Sequence, residues 1–217
     1  MSNSEDTLNK QFGLYELKEE GVSPDPIEQF RLWYEEALRA DLIHPNAFTL
    51  ATSTIDGKPS ARVLLLKGFD QAGFIFYSNS ESKKGDDLAN NPFAALCFWW
   101  GRLERQVRIE GKIHIVSDDE ADEYFSSRPK GSQIGAWASH QSTIIPNREI
   151  LEERFNEFEH RYSDKSVPRP PYWNGYRLVP DTLEFWQGRD NRLHDRLRYK
   201  LLSGGQWLIE RLAPEIN

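Results

Sequence analysis

The chain has very little sulfur and no long apolar run. Its 217 residues include one cysteine and one methionine, which excludes an intrachain disulfide and a metal site with two cysteine ligands. The longest apolar stretch, residues 93–100, is far too short to cross a bilayer, and the amino terminus has no apolar signal core. Cys97 lies inside that stretch and is predicted to be a small buried hydrophobe. These absences predict a soluble, cytoplasmic protein with a reduced thiol.

Several common functional patterns are also missing from the sequence. There is no Gly-rich phosphate loop of the mononucleotide or dinucleotide kind and no Gly-x-Ser-x-Gly elbow. The five histidines are scattered without the spacing of metal ligands, so we expect no metal. The formal net charge of -7 and the pI near 5.3 argue against a nucleic-acid-binding surface, which needs a broad basic face.

The chain does have ample material for a core, since 38% of its residues are hydrophobic and 12% aromatic. Residues 1–24 are polar and lack a strong period, so we interpret them as a flexible arm. Residues 25–217 are predicted to form a single domain. Its first helix begins at Pro26, with Asp25 as the capping residue.

Short strands alternate with a few helices along the domain. Strands are predicted at 47–54, 59–67, 74–78, 93–100, 103–116, 176–179, 183–188, 192–201 and 206–211, and further helices at 82–91, 117–127 and from 147. The Asp-Gly pair at 56–57 favours a hairpin between the first two strands. The pattern predicts a mainly β fold: one antiparallel sheet, closed as a barrel, with helices packed outside it.

The segment 186–199 carries an unusual row of cations for an acidic protein. In a strand, side chains alternate between two faces. Four basic side chains would therefore share one face: Arg192, His194, Arg196 and Arg198. This row favours a site for a phosphorylated ligand. The alternative is a charged edge strand that deters aggregation.

Two other basic groups suggest anion binding. Arg62 and Lys67 bracket an apolar strand, and at five residues apart they point to opposite faces; the alternative is that they protect an aggregation-prone strand. Lys83 and Lys84 open a helix whose free N–H groups would favour an anion. The alternative there is pairing of either lysine with Asp87.

Polar side chains near the middle of the chain could complete such a site. Tyr124, Arg128 and Ser132 follow at four-residue spacing, although Pro129 makes one continuous helix doubtful. A helix end that curls round a ligand would place hydroxyl and guanidinium groups on phosphate oxygens. Gln106, Gln141 and Ser142 add neutral hydrogen-bonding groups.

Taken in order, these segments resemble the pyridoxine/pyridoxamine 5'-phosphate oxidase family, from about residue 25 to 214. The resemblance rests on RVLLLK at 62–67, FYSN at 76–79, LERQV at 103–107, YFSSRP at 124–129, SQIGAW at 132–137, QS at 141–142, FWQG at 185–188 and RLHDR at 192–196. It implies an antiparallel FMN-binding split β-barrel that works as a homodimer, with FMN where two subunits meet.

The resemblance also implies site residues. The implied FMN contacts are Arg62, Val63, Leu64, Leu65, Leu66, Lys67, Tyr77, Ser78, Lys83, Lys84, Gln106, Gln141, Ser142, Trp186 and Arg196. The implied substrate contacts are Lys67, Tyr124, Arg128, Ser132, Arg192 and His194. Arg192 and His194 would be the catalytic residues, since they would orient the substrate ring against the flavin.

The implied reaction is oxidation of pyridoxine or pyridoxamine 5'-phosphate to pyridoxal 5'-phosphate, with O2 as acceptor and H2O2 as product. Two phosphate esters would explain the cation clusters of an acidic chain. The sequence departs from the family pattern at Ser78, where Thr is expected, and at Lys83, where Arg is usual. Lys10-Gln11-Phe12 is the nearest equivalent of the family's arm motif. The alternatives are a split-barrel flavin reductase and a non-catalytic flavin- or pyridoxal-phosphate-binding protein.

Overall fold

A computed structural model describes residues 16–214, and nine strands and five α-helices lie in that part of the chain. The strands are β1 (Ala47–Ser53), β2 (Pro59–Leu65), β3 (Gly68–Asp70), β4 (Gly73–Asn79), β5 (Phe93–Trp100), β6 (Arg105–Ile115), β7 (Trp173–Gln187), β8 (Asp195–Leu201) and β9 (Trp207–Arg211). The helices are α1 (Pro26–Arg39), α2 (Lys83–Asn90), α3 (Asp118–Ser127), α4 (Lys130–Ala138) and α5 (Glu149–Arg161).

The strands form one antiparallel sheet in the order β2-β1-β5-β6-β7-β4-β3, and β8 and β9 extend it from β7. The predicted antiparallel sheet with flanking helices is therefore confirmed. Its hydrogen-bonded path begins at β2 and ends at β3, so the structure is a half-barrel instead of a closed ring. The predicted strands 176–179 and 183–188 are one continuous strand, β7, which pairs with β4, β6 and β8.

Helix α1 covers one side of the core. Asp25 caps its amino terminus, and its apolar side chains pack against the sheet. The Asp25 carboxylate accepts hydrogen bonds from the Ile27 and Glu28 amides at 2.8 and 3.4 Å, as an N-cap residue does. Phe30 is fully buried and meets the Phe74 and Phe98 rings edge-on at 4.9 and 5.2 Å. These contacts bury the apolar face of the helix against the buried face of the sheet.

The sheet has one buried face and one partly open face. Leu96, Phe98 and Val107 fill the core on the buried face. On the opposite face, Val63 is 66% exposed and Trp99 57% exposed. Large apolar side chains exposed together on a sheet face are typical of an interaction surface.

A second, smaller cluster packs the helical segment against the start of β7. Its buried members are Phe125, Ile134, Tyr162, Val167 and Trp173. Within residues 16–214, no helix is long and apolar enough to span a membrane.

The amino-terminal part of the described chain packs on β8 and β9. The Leu17 amide donates to Asp195 Oδ2 at 3.2 Å, and Arg211 Nη2 donates to the Leu17 carbonyl at 2.7 Å. Residues 16–24 of the predicted arm are therefore in contact with the domain. The rest of that arm, including the segment Lys10-Gln11-Phe12, lies outside the described residues.

Candidate functional site

The first turn of α2 is built tightly against the end of β4. Ser82 is buried, donates through Oγ to the Asn79 carbonyl at 2.7 Å and accepts from the Gly85 amide at 3.3 Å. A Cβ on Gly85 would stand 2.1 Å from the Ser80 carbonyl oxygen, so this approach requires glycine. The turn thereby holds the two consecutive lysines in place at the helix amino terminus.

Lys84 is a buried ammonium, 7% exposed. Its Nζ donates to Ser82 Oγ at 2.9 Å and to Gln141 Oε1 at 2.5 Å. Burial, with a smaller contribution from the nearby positive charge of Arg62, lowers the pKa of Lys84 to about 8. A cation held at such a cost is typical of a site that receives an anion.

Lys83 pairs with Asp87, which is the alternative that the sequence left open for these lysines. Its Nζ lies 3.1 and 3.2 Å from the two Asp87 carboxylate oxygens, and Thr52 Oγ1 donates to Asp87 Oδ2 at 2.7 Å. Burial raises the pKa of Asp87, but the Thr52 hydrogen bond and the Lys83 and Arg62 charges outweigh it, so the pKa is lowered overall.

Arg62 points inward from β2 toward this carboxylate. Its Nη1 donates to Thr52 Oγ1 at 2.8 Å and its Nη2 to Ser60 Oγ at 2.7 Å, while Nη2 lies 4.0 Å from Asp87 Oδ2. Burial lowers the pKa of the Arg62 guanidinium, and Asp87 opposes that change. Arg62 and Lys83 thus flank one buried carboxylate. Lys84, whose pKa is lowered in part by the Arg62 charge, adds a third cation nearby, so the combined charge is positive.

The other residues of the 62–67 segment face different surroundings. Leu64 lines the cavity described below. Val63 and Leu65 point to the open face of the sheet, whereas Leu66 is buried in the core. Lys67 lies just beyond β2, and its Nζ is 6.0 Å from the centroid of the Tyr124 ring.

A cavity of about 370 Å³ lies beside the end of α3 and the inner face of α4. Its lining is Leu64, Tyr77, Ser78, Asn79, Arg128, Ser132, Gly135, Ala136, Ser139, Gln141 and Trp173. Six of the predicted site residues are therefore in one place. Ser142 is adjacent, and its Oγ accepts from the Lys83 amide at 3.2 Å.

Arg128 is the cavity's charged group. It ends α3 in an extended conformation, and α4 begins two residues later; the predicted helix end before Pro129 is thus found. Its guanidinium carbon lies 4.9 Å from the centroid of the Trp173 ring. Arg128 Nη1 is buried without a hydrogen-bond partner, and burial lowers the pKa of the guanidinium. A buried N–H that lacks an acceptor is costly unless a ligand supplies one.

Three stacked aromatic rings form one wall of this region. The Tyr77 ring lies 4.1 Å from Tyr124 and 5.0 Å from Trp173, and the planes are within 10° of parallel. Burial, with smaller contributions from Glu120 and Tyr124, raises the pKa of Tyr77 to about 12. The phenol therefore stays protonated near neutral pH and can donate a hydrogen bond.

Four of the remaining predicted residues, but not Arg192, line a second site on the open face where β6, β7 and β8 meet: Gln106, Trp186, His194 and Arg196. Gln106, Trp186 and Arg196 are directly paired across the three strands. A cavity of about 320 Å³ there is lined by Trp99, Gln106, Arg108, Glu184, Trp186, His194 and Arg196. Glu184 Oε1 accepts from Arg196 Nε at 2.8 Å, and its Oε2 lies 3.1 Å from Arg108 Nη2.

The predicted row of four basic side chains on one strand is wrong in part. Strand β8 begins at Asp195, and the chain before it turns at Asn191 and Arg192, whose φ angles are 57° and 60°. This left-handed turn breaks the alternation that extended backbone would impose. Arg192 and His194 therefore precede the strand, while Arg198 pairs with Glu210 at 2.7 Å.

The two cavities share no lining residue. Trp173 and Trp186, one from each cavity, stand 13 residues apart in β7, which corresponds to roughly 40 Å of strand at the usual rise per residue. The residues that the sequence assigned to one FMN site are thus divided between two places in the protomer.

Sequence reasoning missed several residues that complete these sites, among them Thr52, Arg108, Trp173 and Glu184. Glu184 had a usable signal, because it stands two residues before Trp186 and shares its strand face. Arg108 relates to Gln106 in the same way. Thr52 and Trp173 had none, since only packing brings them to the sites. Within the described residues, no group of three or more His, Cys, Asp or Glu side chains could hold a metal ion.

Comparison with known proteins defines first the class of fold. PhzG from Burkholderia lata 383, in complex with tetrahydrophenazine-1-carboxylic acid, has a TM-score of 0.87 at 32% identity and covers 93% of this chain and 100% of its own. A pyridoxamine 5'-phosphate oxidase-related, FMN-binding protein from Nostoc punctiforme has a TM-score of 0.70 at 18% identity, covering 89% and 100%. The fold is that of the FMN-binding split barrels.

The sequence comparisons identify the family. The model described as pyridoxamine 5'-phosphate oxidase matches residues 34–162, and that of the pyridoxine 5'-phosphate oxidase C-terminal dimerisation region matches 173–214. Relatives named pyridoxine/pyridoxamine 5'-phosphate oxidase in Gloeothece citriformis and Cupriavidus necator are 55% and 56% identical, over 95% of this chain and 97% of theirs. The chain belongs to the pyridoxine/pyridoxamine 5'-phosphate oxidase family and is an oxidoreductase, as the sequence motifs predicted.

Proposed function

We propose that the protein oxidises pyridoxine 5'-phosphate and pyridoxamine 5'-phosphate to pyridoxal 5'-phosphate with FMN as cofactor and O2 as electron acceptor, releasing H2O2. The observation that carries this proposal is the presence of two separate cationic places for two phosphate esters. One is the Arg62, Lys83 and Lys84 cluster, and the other is the buried, unpartnered Arg128 Nη1. The names of the relatives support the same reaction.

The residues around α2 fit the phosphate of FMN. A dianion there would meet the buried Lys84 ammonium, the Arg62 guanidinium and the positive end of the α2 helix dipole. Such an anion would also reverse the unfavourable placement of two lysines at a helix amino terminus. Bound FMN would supply the redox chemistry, namely acceptance of a hydride from the C4' carbon and reoxidation by O2.

A homodimer would bring the two halves of the FMN site together. In one protomer, Gln106, Trp186 and Arg196 lie on the open sheet face, away from the cavity that Arg128 and Gln141 line. The same face exposes Val63 and Trp99, and a dimerisation-region model matches residues 173–214. A two-fold interface presents the same patch from both subunits, so each protomer would complete the other's site.

Substrate binding is assigned to the residues around the aromatic stack. Arg128, Tyr124, Ser132 and Lys67 would receive the substrate phosphate, since Arg128 Nη1 needs an acceptor. Arg192 and His194 would orient the substrate ring. Orientation of two bound reactants can contribute about 7 kcal/mol or more to lowering a barrier, so the reaction needs no separate acid–base pair.

An anaerobic titration tests this proposal. Each phosphorylated vitamer is added to the FMN-loaded protein, and flavin absorbance is followed; we expect bleaching, then recovery with H2O2 when air is admitted. Arg192→Leu should reduce turnover far more than flavin content, and equal losses of both would contradict its substrate role.

The same experiment separates the alternatives. A flavin reductase would hold flavin that neither vitamer bleaches, and a non-catalytic carrier would bind pyridoxal 5'-phosphate without needing flavin. Bleaching by a tetrahydrophenazine carboxylic acid, but by neither vitamer, would assign the chain to a PhzG-like activity. Any of these results would overturn the proposal.

A further inference from the structure

The imidazole of His194 has one of its two nitrogens already engaged. The backbone N–H of Arg189 donates to His194 Nδ1 at 3.1 Å. The ring also packs on Trp186, with the two centroids 4.6 Å apart. The ring plane and its rotation are therefore both defined by neighbouring groups.

This hydrogen bond decides where the ring proton lies. A neutral imidazole has one N–H donor and one acceptor nitrogen. Because Nδ1 accepts from a backbone amide, which can only donate, the proton of the neutral ring must be on Nε2. The opposite tautomer would bring two N–H groups face to face.

The turn before His194 keeps the amide of Arg189 in place. The Gly188 amide donates to the Glu104 carbonyl at 2.7 Å, and a Cβ on Gly188 would lie 2.6 Å from Glu104 Oε2. On the other side, Asn191 and Arg192 adopt left-handed backbone conformations that reverse the chain. The strained turn returns His194 to the Arg189 amide over five residues.

We propose that the Arg189 amide holds His194 in the Nε2–H tautomer, so that His194 donates a hydrogen bond to an acceptor atom on the substrate ring and does not serve as its base. Residues 188–192 are then a positioning element for this donor. The inference rests on the proposed function for the identity of the ligand, but the tautomer itself is a property of the protein alone.

The tautomer is measured directly by ¹⁵N NMR of protein labelled at its five histidines, with His194 assigned by the resonances that His194→Gln removes. We expect a protonated nitrogen at Nε2 and an unprotonated one at Nδ1, with and without FMN. The reverse assignment, or an even mixture, would overturn the proposal. Because no substrate is added, this result is independent of whether either vitamer bleaches the flavin.

Two substitutions test the donor role. Glutamine places an amide nitrogen near the position of Nε2, whereas asparagine places one near Nδ1. We expect His194→Gln to keep a KM close to that of the parent and His194→Asn to raise KM by about tenfold, the usual effect of losing one hydrogen bond, with equal flavin content in both. Equal KM values in the two variants, or a lower KM for His194→Asn than for His194→Gln, would refute the donor role.

A second pair of variants tests whether the Arg189 backbone N–H selects the His194 tautomer. Arg189→Ala keeps the backbone N–H and should leave the ¹⁵N pattern of His194 unchanged. Arg189→Pro removes that N–H and should give a mixture of tautomers. An unchanged pattern in the proline variant would show that the amide does not select the tautomer. If the proline variant does not fold, the ¹⁵N pattern of the parent protein still decides the proposal.

Discussion

Replacing Lys84 by methionine should make the FMN-free protein more stable and its flavin binding weaker. Lys84 is 7% exposed, and its ammonium is held by Ser82 and Gln141. Methionine fills a similar volume without a charge. The variant therefore separates the cost of burying this cation from the benefit that it brings to an anionic ligand.

The magnitude follows from the pKa. Burial and, to a smaller extent, the Arg62 charge lower the pKa of Lys84 from its usual 10.5 to about 8. Each factor of ten in proton affinity corresponds to about 1.4 kcal/mol. Keeping Lys84 protonated at pH 7 thus costs the fold about 3 kcal/mol. The variant also loses two hydrogen bonds, each of which contributes about 1 kcal/mol to the free energy of unfolding. The net gain of about 1 kcal/mol should raise Tm by about 2–4 °C.

The stability that Lys84→Met gains over the parent should decrease as the pH rises. Between pH 8 and 10.5 the unfolded chain still binds the Lys84 proton while the folded protein has released it, so the free energy of unfolding of the parent rises with pH in that window. The advantage of Lys84→Met at pH 7 should therefore shrink above pH 8 and reverse by about pH 10. Urea unfolding of both FMN-free proteins across this pH range measures the difference between their free energies of unfolding. The contributions of the other titrating groups cancel in that difference.

Flavin affinity should change in the opposite direction. Loss of a charge-assisted hydrogen bond to phosphate costs about 1.5–3 kcal/mol, so Kd for FMN should rise about 10- to 100-fold, as measured by fluorescence titration. Lys83→Met is the matched control: it should destabilise the FMN-free protein, because it leaves the buried Asp87 carboxylate without its closest cation. A destabilised Lys84→Met variant with unchanged FMN affinity would refute the reasoning.

Three further predictions concern the neighbouring groups. Asp87→Asn should lower the free energy of unfolding at pH 7 by about 1–2 kcal/mol. Because the pKa of Asp87 is lowered in the fold, the difference from the parent should disappear as the pH falls below 3.8. A difference that urea unfolding finds to be the same at every pH would contradict this. Arg128→Met should raise KM for the phosphorylated substrate about 10- to 100-fold in steady-state assays while Tm stays the same or rises; a large fall in Tm would indicate a structural role instead. Val63→Lys, on the open sheet face, should shift sedimentation velocity toward the monomer, whereas Ile55→Lys, 83% exposed in the β1–β2 turn, should not; equal behaviour would place the interface elsewhere.

Local signals in the sequence predicted much of this molecule. The Asp25-Pro26 start of α1, the Ser117 cap of α3 and the Asp-Gly hairpin all depend on neighbouring residues, and the structure has each of them. The pairing of a lysine with Asp87 was also available, because residues four apart meet on a helix face. The motifs were numerous enough to predict the family, which the comparisons confirm.

The prediction that the basic side chains of 186–199 share one face of a strand failed for a physical reason. Alternation describes a strand only while every φ angle stays negative and extended, and Asn191 and Arg192 leave that region. Asparagine tolerates this conformation better than most residues, but no local signal predicted it at Arg192. The turn accompanies contacts of Gly188 with Glu104 and of His194 with Arg189. Such contacts join residues that the local pattern treats as independent.

Short-range spacing and residue chemistry were thus enough to predict the types of element, the apolar faces and the set of cationic groups. Only the packing of distant segments decided that those cations fall into two places, that Lys84 and not Lys83 is buried beside Arg62, and that His194 accepts a hydrogen bond at Nδ1. Burial and hydrogen-bond partners depend on which distant strands and turns meet, and that information is absent from any single segment of the chain.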